Sequence, residues 1–265
     1  MNPIKNILFL SAILVYIVLV TGFISNREQQ TKISNLKIRI TDSTENQFIH
    51  TAEIRNLLYQ KKFNPFGKPA SAIDLEEIEK SLLSRQIIRQ ADAYITEPGI
   101  LHVDIRQKTP FLRISNRLGQ GYYLDKDGNV IPLSGNFSPY VLIANGNINE
   151  PFRIGQTLNI FDVKHDSLPA TLKTIYDVFR LALYINGNSF WKAQIEQVYV
   201  NNRYEIEMIP RVGSHIIELG RVENLDEKFN NLKLLYLDGF NKIGWNQYER
   251  ISLRYKNQVV CTKIQ

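Results

Sequence analysis

The chain has very few of the residues that form covalent cross-links and metal centres. Its 265 residues include one cysteine, Cys261, so no intramolecular disulfide can form. The four histidines, His50, His102, His165 and His215, are far apart, and none has the spacing of a metal-binding pair. The sequence also lacks an HExxH motif, a CxxC pair, a GxSxG elbow and a phosphate-binding glycine loop. We therefore expect no metal, no cofactor and no catalytic residue, unless a site is assembled from residues distant in sequence.

The chain also lacks a strong excess of charge of one sign. It contains 32 lysine and arginine residues and 26 aspartate and glutamate residues, which gives a net charge of +6. Basic residues stand beside acidic ones, as in residues 76–85 and 223–233. Because nucleic-acid binding needs a clustered basic face, this pattern predicts a solvated protein surface and no nucleic-acid partner.

Two polar features that resemble functional sites have simpler explanations. Asp125, Asp127 and Gly128 begin like a calcium-binding loop, but the later ligands and the terminal glutamate of such a loop are missing. The Asp127-Gly128 pair predicts a hairpin turn instead. His102 falls on the polar face of a predicted strand, where we expect a solvated side chain.

One long hydrophobic run stands out from an otherwise water-soluble sequence. Residues 6–26 carry no charge and are mostly apolar, between Lys5 and Arg27. At a helical rise of 1.5 Å per residue, residues 7–24 nearly cross the roughly 30 Å hydrocarbon core of a bilayer. A cleaved signal peptide would have a shorter apolar region and a small-x-small cleavage site, which this run lacks. The sequence therefore predicts a retained transmembrane anchor over residues 7–24.

The orientation of this anchor is left open by the charges around it. Lys5 and the terminal amine lie in a short tail, residues 1–6, whereas Arg27, Lys32 and further basic residues follow the anchor. The positive-inside rule alone would place the later part of the chain in the cytoplasm, although long domains can be translocated regardless of charge. A polar connector, residues 25–34, leads into the rest of the chain.

After the connector, the sequence has the pattern of a small α+β domain. Residues 35–41 alternate like a half-buried strand, and residues 51–60 have the spacing of an amphipathic helix. A second helix is predicted after the capping residue Asp74. Its apolar stripe consists of Leu75, Ile78, Leu82 and Leu83. Pro98-Gly99 then joins two alternating strands, so the element order over residues 35–107 is strand, helix, helix, strand, strand.

From residue 108 the sequence predicts a second, larger domain with a mixed sheet and helices. Short strands alternate with a helix at residues 168–185, whose stripe includes Leu183, and with a helix at residues 226–237 that stops at Gly239. The last two strands are separated by a turn at Asn257. The fold class is therefore α+β, with a single N-terminal transmembrane helix followed by two domains.

Five strings of the sequence are distinctive when taken together: EIEKSLLSRQIIRQADAYI, LHVDIRQKTPFLRI, GYYLDKDGNVIPL, EKFNNLKLLYLDGF and GWNQYERISLRYKNQVVCTK. In this order and after a single span, they resemble the FtsQ/DivIB family of bacterial cell-division proteins, and its Bacteroidetes members most. The resemblance implies a POTRA domain over residues 35–107 and an FtsQ-type β-domain over residues 108–265. It also implies a non-enzymatic scaffold in the inner membrane at the division site, with a cytoplasmic N-terminal tail and its bulk in the periplasm.

The resemblance further implies a partner-binding site on the terminal strands. In the family these strands bind FtsB, which is paired with FtsL, so both are expected partners here. The family's L-R-Y string falls on Leu253, Arg254 and Tyr255, where Arg254 would pair with a partner carboxylate and Tyr255 would anchor the contact. The implied partner-binding set is Tyr248, Ile251, Leu253, Arg254, Tyr255, Gln258, Val259, Val260 and Cys261. Strand alternation alone instead makes Ile251, Leu253 and Tyr255 ordinary core residues, and both interpretations stay open.

Two other classes of function also stay open. A POTRA-bearing chaperone or secretion subunit binds strands too, but it normally carries repeated POTRA units or leads to a barrel or secretion module. A membrane-anchored cell-wall hydrolase would need a catalytic cluster. Neither the repeats nor such a cluster is visible in the sequence.

Overall fold

The computed structural model divides the chain into two units, residues 1–107 and residues 108–265. The residues that it describes are 13–17, 31–60, 63–150, 153, 159–162 and 169–264. Residues 13–17 are helical and exposed, and the rest of the predicted anchor lies outside the described residues. Within the described ranges, no helix is long and apolar enough to cross a membrane.

The first unit has the predicted element order. Its strands and helices are β1 (Asn35–Ile40), α1 (Thr51–Tyr59), α2 (Leu75–Leu83), β2 (Ile88–Thr96) and β3 (Ile100–Gln107), with a 3-10 turn at Ala70–Ala72. The strands form a sheet in the order β1-β3-β2. β1 runs parallel to β3, and β2 pairs with β3 as an antiparallel hairpin.

Both helices of this unit pack through the predicted apolar stripes, with one exception. Ile78 and Leu82 of α2 are buried, and the Asp74 side chain caps the helix by accepting a hydrogen bond from the Glu77 N–H at 2.8 Å. Leu83, which was predicted to belong to the stripe, is exposed. Successive helical residues lie about 100° apart, so Leu83 falls off the row that contains Ile78 and Leu82.

Two polar side chains of the first unit, Glu79 and His102, contact other groups of the same unit. Glu79, on the polar face of α2, accepts a hydrogen bond from the backbone N–H of Ala93 at 2.7 Å and so occupies a donor of the edge strand β2. His102 was predicted to be solvated, but its ring is half-buried and stacks on Tyr94 at 4.8 Å. Its Nε2 lies 2.9 Å from the Thr96 hydroxyl. The cause is cross-strand pairing, because Tyr94 stands directly opposite His102.

The described residues of the second unit form a nine-stranded mixed sheet with helices. Its strands are β4 (Pro110–Ser115), β5 (Gly121–Asp125), β6 (Val130–Pro132), β7 (Leu142–Gly146), β8 (Ile195–Val200), β9 (Ile206–Pro210), β10 (Ile216–Gly220), β11 (Tyr248–Ser252) and β12 (Val260–Lys263). Its helical segments are Ile160–Asp162 and Ala170–Leu172 (both 3-10), α3 (Thr174–Asn186), α4 (Ser189–Gln194), α5 (Leu225–Leu234), a π-turn at Leu235–Gly239 and α6 (Phe240–Ile243). The strand order is β12-β11-β10-β9-β8-β7-β4-β5-β6.

The helices of the second unit pack on the apolar side chains of the sheet. Phe179 of α3, Trp191 of α4 and Phe229 of α5 are buried in one core cluster. The alternate strand residues, such as Ile143 and Ile209, are exposed and mark the other face of the sheet.

Two helix boundaries in this unit differ from the sequence prediction. The α-helix predicted from residue 168 begins at Thr174, and Leu183 of its predicted stripe is exposed. The helix predicted to stop at Gly239 continues through the π-turn to Ile243. Burial of Tyr236 and Phe240 on the same side explains the continuation, because it outweighs the low helix propensity of one glycine.

Candidate partner-binding site

The terminal hairpin places β12 at one edge of the nine-stranded sheet. β12 pairs antiparallel with β11, and β11 pairs parallel with β10. In the described part of the chain, no strand lies on the other side of β12. A strand in that position has outward N–H and C=O groups available to a further strand.

Two backbone hydrogen bonds beside β11 identify which groups of β12 face outward. The N–H of Ile264, just after β12, donates to the backbone carbonyl of Gln247, just before β11, at 3.2 Å. The N–H of Leu253 donates away from β12, to the backbone carbonyl of Glu218 on β10, at 2.9 Å. Backbone groups alternate along a strand, so those of Thr262 face β11. The backbone groups of Cys261 and Lys263 therefore point away from the sheet.

The predicted site residues divide into buried and exposed groups. Ile251 is 0% exposed and Leu253 is 1% exposed, so both fill the core and neither side chain can touch a partner in this structure. Tyr248 is half-buried, with its ring 6.2 Å from that of Phe240. The exposed residues lie after β11, in the turn and in β12. They are Tyr255, Gln258 and Val260, and their neighbours Val259 and Cys261 are partly buried.

The turn between β11 and β12 is tied to helix α5. Asn257 has a positive φ of 56°, and its N–H donates to the Glu227 carboxylate at 2.8 Å. Tyr255, in the same turn, is 57% exposed and does not continue the strand. Its side chain therefore lies on the surface of the domain and is not a core residue.

Arg254 has acidic neighbours within the domain. Its Nη2 lies 3.1 Å from Glu205 Oε2 and 3.7 Å from Glu218 Oε2. Arg250 binds the same group of acids, with Nε 2.6 Å from Glu218 Oε1 and Nη2 3.1 Å from Glu207 Oε1. The two arginines thus join β11 and the residues after it to β9 and β10.

Glu218 lies at the centre of this ion network. Burial raises its pKa, but the hydrogen bond from Arg250 and the charges of Arg254 and Arg250 together lower the pKa below its usual value. Glu218 is therefore ionised at neutral pH. Sequence reasoning missed these acids. Alternation predicted a polar face for their strands, but only the strand register shows which acid meets which arginine.

One buried histidine in this domain has a structural role. His215 is 1% exposed, and its Nε2 lies 2.8 Å from the Tyr236 hydroxyl. Burial lowers the pKa of His215 to about 4, so the ring is neutral at pH 7. The rings of Tyr236, Phe240 and Trp245 pack around each other beside it.

Acidification from pH 7 to pH 4 is expected to destabilise the second unit through His215. The pKa of His215 is about 4 in the folded state against 6.5 ordinarily, so the unfolded chain takes up a proton that the folded chain resists. The stability that the neutral His215 contributes is fully present above pH 6.5 and is lost as the pH falls from 6.5 to about 4. The loss is about 1.4 kcal/mol per pKa unit, or about 3 kcal/mol in total. Denaturant unfolding at several pH values measures the loss. A His215→Phe variant with the same pH dependence would contradict the assignment.

No three histidine, cysteine, aspartate or glutamate residues among those described are arranged to hold a metal ion. Burial raises the pKa of the Cys261 thiol, which keeps the thiol protonated at neutral pH. The features that stand out among the described residues of this domain are the strand edge at β12 and the ion network.

Comparison with known proteins agrees with this architecture. Residues 109–262 match the family model described as FtsQ/DivIB, C-terminal related, and residues 31–106 match the POTRA-like domain model. No curated protein matches the chain. The first match covers more than half of the sequence and runs from β4 into β12 of the second unit. The chain belongs to the FtsQ/DivIB family, with a POTRA-like domain ahead of the family's C-terminal domain.

Proposed function

We propose that this protein is a non-enzymatic scaffold of the bacterial division machinery that binds a partner by adding a strand to β12. The observation that carries the proposal is the position of β12 at the edge of the sheet, with the backbone of Cys261 and Lys263 directed outward. Strand addition uses such groups for affinity and neighbouring side chains for specificity. FtsB, paired with FtsL, is the partner expected from the family.

The exposed side chains beside β12 support this mode of binding. Val260 is 43% exposed on the strand, and Tyr255 is exposed in the turn next to it. An exposed tyrosine is a typical anchor of a protein interface, and Val260 adds apolar surface on the strand beside it. Glu205, Glu207 and Glu218, on the neighbouring strands, are paired with Arg250 and Arg254.

A proline at Cys261 tests strand addition directly. It removes an outward N–H while the Val260 and Thr262 bonds to β11 remain, and proline is tolerated at such edge positions. We expect Cys261→Pro to weaken binding of a peptide from FtsB of the same organism by at least about tenfold, whereas Cys261→Ala retains it. Tyr255→Ala should weaken binding by about 2 kcal/mol, or roughly thirtyfold. Titration of the folded full-length variants measures both effects.

A proline at Val260 provides the opposite control. Its N–H faces β11, so Val260→Pro should lower the stability of the hairpin itself. If Cys261→Pro and Tyr255→Ala both bind the peptide like the unmodified protein, the partner site lies elsewhere.

The proposed scaffold is anchored by residues 7–24, with residues 1–6 in the cytoplasm and the two domains in the periplasm. The support is the long uncharged run in the sequence and the membership of a family of division-site membrane proteins. An exposed Arg203→Cys in a Cys261→Ala background should react with an impermeant maleimide once the outer membrane is permeabilised. Protection of this cysteine until the inner membrane is opened would contradict the topology.

A further inference from the structure

A second surface of the β-domain gathers unpaired positive charges. The strands β4, β7 and β8 are mutually parallel and begin at the same end of the sheet, where the antiparallel strands β5 and β9 end. A groove of about 490 Å³ lies at this end. Arg113, Lys126, Lys192 and Arg211 line the groove and are named together here as the basic groove.

None of these four cations forms an ion pair with any residue that the structure describes. Glu196 is the one carboxylate among the described residues that line the groove, so the local charge is strongly positive. Elsewhere on the same sheet, Arg250 and Arg254 are each paired with two glutamates. The lack of ion pairs is therefore particular to the four cations at this end of the sheet. These cations are available to an anionic ligand.

The groove also contains aromatic and apolar side chains, so a ligand that matches it needs apolar groups as well as negative charge. Tyr140 follows Pro139 just before β7 and is 77% exposed, and the Arg211 guanidinium lies 5.1 Å from its ring centre. Ile143 projects from β7 into the same groove. An exposed aromatic ring supported by an arginine, beside apolar lining, has the composition of a protein interface.

We propose that the basic groove binds an extended acidic segment of a partner protein, in which carboxylates alternate with apolar side chains. The carboxylates meet the four cations, and the apolar side chains pack on Tyr140 and Ile143. A polyphosphate would use only the cations. A lipid surface would need apolar residues that project outward, whereas Ile143 lies in a concave groove. Strands β10 and β11 separate β9 from β12, so this surface is distinct from the strand edge of the proposed function.

The test uses the full-length protein in a neutral detergent and a short fluorescent peptide that alternates glutamate with valine. We expect saturable binding that weakens as salt is added, and no binding of the matched peptide with lysine in place of glutamate. The triple variant Lys126→Glu, Lys192→Glu and Arg211→Glu should lower the affinity at least about tenfold, because each substitution places a repelling charge beside the ligand. Tyr140→Ala should also weaken binding, and Tyr140→Phe should retain most of it.

A matched variant distinguishes an effect of the basic groove from an effect of the protein's net charge. Arg117→Glu, Arg203→Glu and Lys242→Glu make the same charge change at exposed positions outside the groove and should leave the peptide affinity unchanged. Cys261→Pro should also leave it unchanged, because that substitution acts only at the β12 edge. Thermal unfolding checks that every variant is folded.

Several results would overturn the proposal. One is the absence of saturable binding of the acidic peptide, and another is an equal loss in the groove variant and the matched variant. Loss of peptide binding on Cys261→Pro would assign the peptide to β12. Binding of phosphatidylglycerol vesicles or inorganic polyphosphate, but not of the peptide, would make the groove a site for a different class of ligand.

Discussion

Leu253→Ala is expected to lower the free energy of unfolding of the second domain by about 2–5 kcal/mol. Leu253 is 1% exposed and belongs to the core cluster, so alanine would leave a cavity that the surrounding sheet and helices cannot fully close. The neighbouring Arg254 and the hairpin that follows would lose their support. Denaturant unfolding followed by tryptophan fluorescence measures the loss, since Trp191 is buried in the same cluster.

Val260→Ala is the matched control, because Val260 lies on the same hairpin but is 43% exposed. Its effect on stability should stay within about 0.5 kcal/mol, as is usual for surface positions. A Leu253→Ala protein of unchanged stability that no longer binds its partner would contradict the core assignment. It would instead favour the interpretation of Leu253 as a contact residue.

Arg254→Glu is expected to destabilise the second domain by about 2–3 kcal/mol, between the values for exposed and for buried ion pairs. The substitution replaces a cation that lies 3.1 Å from Glu205 and 3.7 Å from Glu218 with a third carboxylate. Glu218 would keep its bond to Arg250, but Glu205 would lose its cation and face a like charge, and the residues after β11 would lose their link to Glu205. Strand alternation places Arg254 off the core face, so the sequence alone gives no reason to expect this loss of stability.

Arg254→Met removes the charge but keeps an apolar stem, so its effect should be smaller than that of charge reversal. The double variant Glu205→Arg, Arg254→Glu should recover part of the lost stability, because it restores an opposite-charge pair. If Arg254→Glu unfolds at the denaturant concentration of the unmodified protein but loses peptide binding, the arginine acts at the interface and the ion network is dispensable.

Local patterns were sufficient to predict most of the individual elements. The alternation of Leu101, Val103 and Ile105 predicted a strand whose inner residues are fully buried. Asp74 was predicted as a helix cap from its type and its distance from Glu77, and the hydrogen bond between them is present. Both signals depend on neighbours within a few residues, which a single sequence contains in full.

Features that depend on contacts between residues distant in sequence could not be predicted from local patterns. The parallel pairing of β10 with β11 brings Glu218 level with Ser252, and this register determines that Arg250 and Arg254 meet acids rather than solvent. The arrangement of β4, β7 and β8, which gathers the basic groove from positions about 100 residues apart, is likewise set by strand order. The low helix propensity of Gly239 also led to a wrong prediction of the helix end, because burial of Tyr236 and Phe240 stabilises the helical conformation beyond it.

The parallel pairing of β10 with β11 also affects when the strand edge can form during synthesis. Parallel neighbours need a crossover connection, and here the crossover consists of α5, the π-turn and α6. β11 can join the sheet only after this helical segment has been made and has packed, and β12 can pair only with β11. Because ribosomes extend the chain from its N-terminus, the earlier strands can assemble before this edge exists. A nascent β-domain therefore has no β12 edge to offer a partner until its crossover has folded, which delays partner capture until the domain is nearly complete.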